Sequence, residues 1–298
     1  MVQIIFLGTS SMKPTKNRNH SGILLSYKSE NILFDCGEGI QRQMKKVGIK
    51  PGKTTRLCVS HWHGDHALGI PGLISTMGAD QFAKKLHIYG PKGSKRYMEY
   101  MLKAFFSSGV IDFEVHEIAK NGTFFENDEF KLCAEVLEHS TPCLGYSFVE
   151  KEKLRINVTK AKKLDLKEGP ILGKLQKGKN VVHNGKKILY EDVTYPVKSK
   201  KFSYVSDTVI CDGAYKLAEN ADLLVVESSF HHDDVNKARQ YHHLTAKQAA
   251  LIANEAGAHK LILTHPSSRY KKVSILVEEA LQYFPDVTFA EDFMKFNF

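Results

Sequence analysis

The segment Ser60-His61-Trp62-His63-Gly64-Asp65-His66, set directly behind the apolar run Leu57-Cys58-Val59, constrains this chain more than any other feature. Three imidazoles and a carboxylate within six residues are the donors zinc prefers, at about 2.1 Å from the ion. Their spacing suits a turn rather than a helix, with side chains fanned toward two adjacent ions. Four ligand-type residues following a buried-looking strand argue against a plain polar surface loop.

The rest of the chain supplies a scaffold for such a turn. Short apolar runs with strand character cover 3–7, 23–27, 31–34, 56–59, 87–89, 202–205, 223–226 and 261–263. Helices are expected over 95–106, 245–256 and 274–283. The second of these opens on Thr245-Ala246-Lys247-Gln248, the spacing of a capping box, and Gly257 is placed to end it. Strands mixed with helices along 298 residues predict one layered α/β body with an insertion. Asp35, His61, His139, Asp207, Glu227 and His265 each follow closely behind a strand-like run. Open α/β sheets gather function at strand carboxyl ends, so residues distant in sequence are expected to converge on one cleft.

No apolar run approaches the roughly 18 residues that span a bilayer, and the first residues lack the basic and apolar regions of a secretory leader. Cys36, Cys58, Cys133, Cys143 and Cys211 are scattered without a Cys-x-x-Cys pair, which fits reduced thiols in a cytoplasmic protein. Charge is distributed unevenly. Residues 151–201 hold 15 Lys/Arg against 5 Asp/Glu, so the formal excess of +9 lies in this one stretch. It contains Gly169-Pro170, Gly173, Gly178 and the turn signal Asn184-Gly185, and it reads as an inserted arm with a hairpin-like element that binds a polyanion.

The motif His61-x-His63-x-Asp65-His66 resembles the mark of the metallo-β-lactamase superfamily, which implies a four-layer αββα sandwich. His139 in Leu137-Glu138-His139-Ser140, Asp207 in Val205-Ser206-Asp207-Thr208 and His265 in Thr264-His265-Pro266 arrive in that family's order. The resemblance implies His61, His63 and His139 on one zinc, Asp65, His66 and His265 on a second, and Asp207 between them. Manganese is an alternative at such a mixed N/O site.

Within the superfamily, the chain resembles tRNase Z, which trims the 3′ trailer of precursor tRNA. Pro14-Thr15-Lys16-Asn17-Arg18-Asn19 matches a Pro-x-Lys-x-Arg-Asn loop, so Lys16, Arg18 and Asn19 are implied to touch substrate. His243-Leu244-Thr245 matches a His-x-Thr motif, and Glu227 a carboxylate that orients this histidine. Arg269 and Tyr270 follow the last ligand motif, with Arg269 a further substrate contact. Gly169, Pro170 and Lys174 resemble elements of the family's tRNA-binding arm. Asp65 is implied to be general base as well as ligand. His243 is implied to be general acid, leaving a 3′-hydroxyl on the tRNA and a 5′-phosphate on the trailer. The short length implies a homodimer. His231, His232 and His242 are read as surface residues, and Trp62 as packing. Two rival readings are a small-molecule phosphodiesterase or arylsulfatase of the same superfamily and an RNA-binding subunit without metals. The first leaves the basic arm and the Pro14–Asn19 loop without a purpose, and the second should lack ligands.

Overall fold

The structure is a computed structural model and describes residues 1–105 and 110–298. Its chain separates into two compact units. The larger comprises residues 1–125, 132–148 and 201–298. It is built on two seven-stranded sheets. In the first, strands Lys295–Asn297, Gln3–Gly8, Gly22–Tyr27 and Glu30–Phe34 run antiparallel, and Arg56–Cys58, Leu86–Pro91 and Phe113–Ile118 continue in parallel. In the second, the order is Val287–Phe289, Leu261–Thr264, Leu223–Glu227, Lys201–Val205, Cys143–Glu150, Phe130–Leu137 and Gly122–Glu126, the first four parallel.

Aromatic side chains hold the inner faces of the sheets together. Phe34 meets Phe202, Tyr146 and Tyr204 at centroid distances of 5.4, 5.9 and 6.3 Å, and Tyr27 meets Phe148 at 5.2 Å. All six rings are essentially buried. Fully burying one such ring is worth roughly 1.5–3 kcal/mol relative to leaving it exposed. Helices Ile40–Lys46, Ile70–Ala79 and Ser94–Ala104 cover the outer face of the first sheet. Asp212–Ala218, Ala246–Glu255 and Ser274–Leu281 cover that of the second. The result is an αββα sandwich. The capping box forms as expected: Thr245 Oγ1 accepts from the Gln248 amide and Gln248 Oε1 accepts from the Thr245 amide.

The expected strands all form, extended at their ends by a residue or two or, at 56–59, ending one earlier. The helix expected over 95–106 runs Ser94–Ala104, and its expected end at Phe106 lies outside the described residues. Phe113–Ile118, Gly122–Glu126, Phe130–Leu137 and Cys143–Glu150 are strands that sequence pattern did not mark.

The smaller unit, residues 126–131 and 149–200, holds the basic stretch. It has a core of its own, made by Ala161, Leu166, Leu175, Val181, Ile188 and Val193. Lys153–Ile156 pairs antiparallel with Thr194–Val197, and helices Val158–Lys163 and Pro170–Gln176 lie between them in sequence. Asn184 and Gly185 both adopt positive φ and join Val181–His183 to Lys186–Ile188, the turn that an Asn-Gly pair favours.

Two glycines set the approach of the site-bearing loops. A Cβ on Gly69 would lie 2.0 Å from the Gly37 carbonyl oxygen, and one on Gly37 would lie 2.4 Å from that of Asp65. The loops are also tied by Cys36 N–H to the His66 carbonyl and Gly69 N–H to the Cys36 carbonyl, both at 2.8 Å. Gly69→Ala must therefore push backbone against backbone, and is expected to lower stability by about 1–3 kcal/mol in denaturant unfolding. An unchanged midpoint would contradict this packing.

Candidate metal centre

Six of the site residues stand at or just beyond the carboxyl end of a strand. Asp35 follows Glu30–Phe34, His61 follows Arg56–Cys58 and His139 follows Phe130–Leu137. Asp207 follows Lys201–Val205, Glu227 ends Leu223–Glu227 and His265 follows Leu261–Thr264. Asp35 and His265 leave their strands with φ of 59° and 63°, a left-handed conformation uncommon for residues with a side chain. His63 precedes the one-turn helix Gly64–Ala67, whose first turn carries Asp65 and His66.

The seven expected donors converge. His61, His63 and His139 form one group whose ligand atoms lie within 4.8 Å of one another, and Asp65, His66 and His265 form a second. Asp207 groups with His61 and His66 on one side and with His243 and His265 on the other. Ring nitrogens approach closely: His61 Nε2 to His63 Nδ1 at 3.1 Å, His139 Nε2 to His63 Nδ1 at 3.3 Å and His66 Nε2 to His265 Nε2 at 3.2 Å. Ligands at about 2.1 Å on a tetrahedral ion stand roughly 3.4 Å apart, so these separations are those of atoms sharing a cation. Asp207 Oδ1 is buried without a hydrogen-bond partner among the described residues, with His265 Nδ1 3.4 Å away. An unmet buried carboxylate oxygen facing crowded imidazoles fits a metal cofactor.

The charges agree with that fit. Burial pushes His61, His63 and His139 below the ordinary histidine value, which leaves neutral rings with lone pairs to donate. Asp207 and Asp65 are held well below the carboxylate range: burial opposes this, but His265 and His66 around Asp207, and His66 and His265 around Asp65, outweigh it. His66 is the reverse case. Burial would lower it, yet Asp207, Asp65 and Asp35 raise it well above its usual value. The positive charge these carboxylates demand is what a divalent cation supplies.

An outer set of groups fixes the donors. The fully buried Asp35 accepts from Ser60 N–H at 2.7 Å, Ser60 Oγ at 2.8 Å and Tyr204 OH at 2.9 Å, and its Oδ2 lies 2.7 Å from His66 Nδ1. His139 Nδ1 donates to the His242 carbonyl at 2.9 Å, and the Ser229 hydroxyl lies 3.1 Å from His265 Nδ1. Such contacts orient a ring and choose which nitrogen faces the metal. Sequence reasoning placed Asp35 behind a strand without giving it a task. It treated His242 as surface, although the backbone of His242 orients His139.

His243 stands beside the cluster and opens onto a cleft of about 900 Å³ lined also by His63, Asp65, His139, Asp207, His265 and Arg269. Its Nδ1 lies 3.0 Å from Glu227 Oε1, which also accepts from the Leu244 amide at 2.7 Å. Nδ1 therefore carries the proton toward Glu227, and Nε2 is the nitrogen left for the cleft. Burial would lower this histidine, but Glu227 and then Asp207 push it up to about 9.

The expected substrate contacts divide. Lys16 is exposed and lines a second cleft with Ser267, Ser268, Lys271 and Lys272. Arg18 is turned inward: its guanidinium donates to Thr9 Oγ1 at 2.7 Å and the Ala290 carbonyl at 2.5 Å, and lies over Phe289. The Asn19 side chain donates to the Glu38 carbonyl, and its amide to Asp292. Arg18 and Asn19 thus shape the loop that presents Lys16. Arg269 stacks over Phe230 and pairs with Asp234 at 3.4 Å while lining the main cleft. In the smaller unit Gly169 has φ of 149° ahead of Pro170, which opens its helix, and Lys174 is exposed. Trp62 packs against Tyr97 in a tilted arrangement and donates to Ser94 Oγ. His231 and His232 are partly buried against Glu279 and Thr245.

Two sheets, their outer helices and a strand-end cluster of histidines and aspartates define a metallo-β-lactamase-fold hydrolase centre. Residues 2–157 match the family described as anti-Pycsar protein Apyc1, to which the N-terminal half belongs. Over its full length, the chain belongs to the ribonuclease Z family. It is 43% identical over 295 residues to ribonuclease Z of Methanothermobacter thermautotrophicus, covering 99% of this chain and 96% of that protein. The identity to ribonuclease Z of Methanosarcina mazei is 38% over 299 residues, with 99% and 97% covered. Among solved structures, the short form of human tRNase Z superposes with a TM-score of 0.73 at 28% identity, covering 99% and 98% of the two chains. The Bacillus subtilis metallo-β-lactamase fold protein YhfI shares the fold at a TM-score of 0.73 and 19% identity, covering 99% and 98%.

Asp35→Asn keeps the size of the side chain and removes the charge behind His66. Metal affinity is expected to fall roughly 10–100-fold, read by competition with a chromophoric chelator. Equal affinity would leave Asp35 a purely structural residue.

Proposed function

We propose that this protein is a metal-dependent endoribonuclease that removes the 3′ trailer from precursor tRNA, leaving a 3′-hydroxyl on the tRNA and a 5′-phosphate on the trailer. The observation that carries the reading is the joining of two donor triads to the His243–Glu227 pair in one cleft, in a chain of the ribonuclease Z family. We assign zinc, two ions per chain, as the resident metal, with manganese able to substitute. His61, His63 and His139 would hold one ion, Asp65, His66 and His265 the other, and Asp207 would serve both. When bound, such ions activate water and neutralise charge on phosphoryl oxygens.

The chain's own residues supply the proton transfers. Asp65 would take a proton from the attacking water. His243 would donate from Nε2 to the departing ribose 3′-oxygen while Glu227 holds Nδ1 and compensates the imidazolium. Lys16 and Arg269 line the clefts that would receive RNA phosphates. The basic unit, with Gly169, Pro170 and Lys174, is assigned to the body of the tRNA, as an arm inserted at 151–201 in a single catalytic domain. A homodimer in the cytoplasm is the assembly we propose. Among the described residues, no helix is long and apolar enough to cross a membrane.

An end-labelled, 3′-extended precursor tRNA tests the assignment. Wild-type protein should make one cut near the start of the trailer, and Asp65→Ala should make none. Hydrolysis of only a small phosphodiester would keep the metal centre and sink the tRNA reading.

The general acid has a pH signature. A donor must be protonated, and a raised pKa keeps His243 protonated further into the alkaline range. Activity is therefore expected to fall as pH rises past a limb lying between the ordinary 6.5 and about 9. Bound cations would offset the pull of Asp207 and leave Glu227 as the partner that raises it. Glu227→Gln should move this limb toward lower pH, and His243→Ala should reduce kcat roughly 10²–10⁴-fold. A limb that stays in place in Glu227→Gln would remove the carboxylate from the acid's support.

Arm binding through phosphates has a salt signature. Replacing Lys162, Lys163 and Lys174 by Gln should raise KM for precursor tRNA, flatten the dependence of affinity on salt, and leave hydrolysis of a small phosphodiester unchanged. An unaltered salt slope would release these lysines from the assignment.

A further inference from the structure

On the first sheet, away from the residues assigned to catalysis, two parallel strands bring another set of metal donors together. In the register of Leu86–Pro91 with Phe113–Ile118, His87 lies opposite Glu114 and Tyr89 opposite His116. Side chains alternate along a strand, so Ile88 and Val115 pack into the core under the outer helices, and His87, Tyr89, Glu114 and His116 share the other face. There, His87 Nδ1 and His116 Nε2 are 3.1 Å apart, and Glu114 Oε2 is 3.9 Å from each nitrogen. The ligand atoms of all three lie within 4.8 Å of one another.

From this arrangement we infer that His87, Glu114 and His116 form a further, solvent-accessible site for a d-block divalent cation, of the Zn²⁺ or Cu²⁺ class. The two nitrogens already stand at the spacing of neighbouring ligands on one ion, given metal–nitrogen distances near ~2.1 Å. Two imidazoles with a single carboxylate select such cations over Mg²⁺ and Ca²⁺, which take mainly oxygen. The His116 ring is held in place by Tyr89, stacked on it at 4.7 Å with planes 17° apart, and Tyr89 in turn packs on Phe124 at 4.8 Å. Burial also keeps His116 below the ordinary histidine value, so its lone pair is available near neutrality.

Glu114 is the adaptable ligand. It is half exposed and needs only a change of rotamer to close the gap to the ion. Its present partner is Lys85 Nζ at 3.9 Å, which also lies 3.8 Å from Asp112. Exposed pairs of this kind are screened by water and contribute too little to hold Glu114 away from a cation. With three protein ligands the remaining positions fall to water. An ion here would tie the edge strand Phe113–Ile118 to its neighbour.

The test uses the full chain with its resident metal in place. Cu²⁺ is titrated into wild type, His116→Gln, Glu114→Gln and Lys85→Ala, followed by electron paramagnetic resonance and by counting ions per chain. Wild type should take up one further ion and show a type 2 copper signal with hyperfine structure from two nitrogens. His116→Gln should lose that ion, and Glu114→Gln should bind it more weakly. Lys85→Ala should bind it several-fold more tightly, because a competing cation is gone. Retained phosphodiesterase activity in each variant shows that folding and the resident metal centre survive. If His116→Gln matches wild type in ion count and spectrum, or if wild type takes up no added ion, the pair is a His–His hydrogen bond and the inference falls.

Discussion

The carboxylate of Asp35 is the joint on which the rest depends. It has no exposure to water, so its oxygens must be met by donors from the protein. They come from three directions: the backbone and hydroxyl of Ser60 in the first sheet, the Tyr204 phenol from the second, and the His66 ring from the donor cluster. One side chain therefore couples the approach of the sheets to the aim of a ligand. The aromatic packing around Phe34, one residue earlier, sets the same distance from the apolar side. Shifting either sheet would strip Asp35 of a donor and turn His66 at once. This explains why such a polar cluster is buried within a sandwich whose stability is otherwise apolar.

The cluster carries an internal division of charge. His61, His63 and His139 are drawn toward neutrality by burial, whereas His66 and His243 are drawn toward protonation by carboxylates that outweigh burial. For His66, whose donor nitrogen sits between Asp65 and Asp207, a cation answers the demand. His243 stands one step outside, and its carboxylate, Glu227, is engaged by backbone amides of Leu244 and Ser229 rather than by cluster donors. That difference in surroundings sets His243 apart from the cluster imidazoles only a few ångströms away.

Much of this was legible in the sequence, for a physical reason. The central strands are buried on both faces and read as unbroken apolar runs, and the donors sit directly behind them, as at Val205-Ser206-Asp207 or Leu263-Thr264-His265. Phe130–Leu137 escaped because it alternates buried with half-exposed residues and carries Lys131 and Glu135 on its wetter face. Phe113–Ile118 escaped in the same way, since His87 and Glu114 face each other across an edge that is only partly covered. Asp35 showed its position but not its use, since the partners that define it are 25, 31 and 169 residues away. Arg18 shows the opposite limit. Its motif marks a loop, but only the fold reveals that the guanidinium is spent on Thr9 and Ala290, leaving Lys16 at the surface.

The two family matches weigh differently on function because of how the centre is divided along the chain. The match over residues 2–157 contains His61, His63, Asp65, His66 and His139, and thus most of the donors. It ends before His265, which completes the group with Asp65 and His66, before Asp207, and before the Glu227–His243 pair. The first half therefore carries the whole of the His61, His63 and His139 group and only part of the other. The relatives that cover 99% of the chain span the second sheet as well, with its strand-end Glu227 and the His243 turn that precedes the capped helix. The second half of the chain thus adds Asp207, His265, the His243–Glu227 pair and most of the basic unit to the donors of the first.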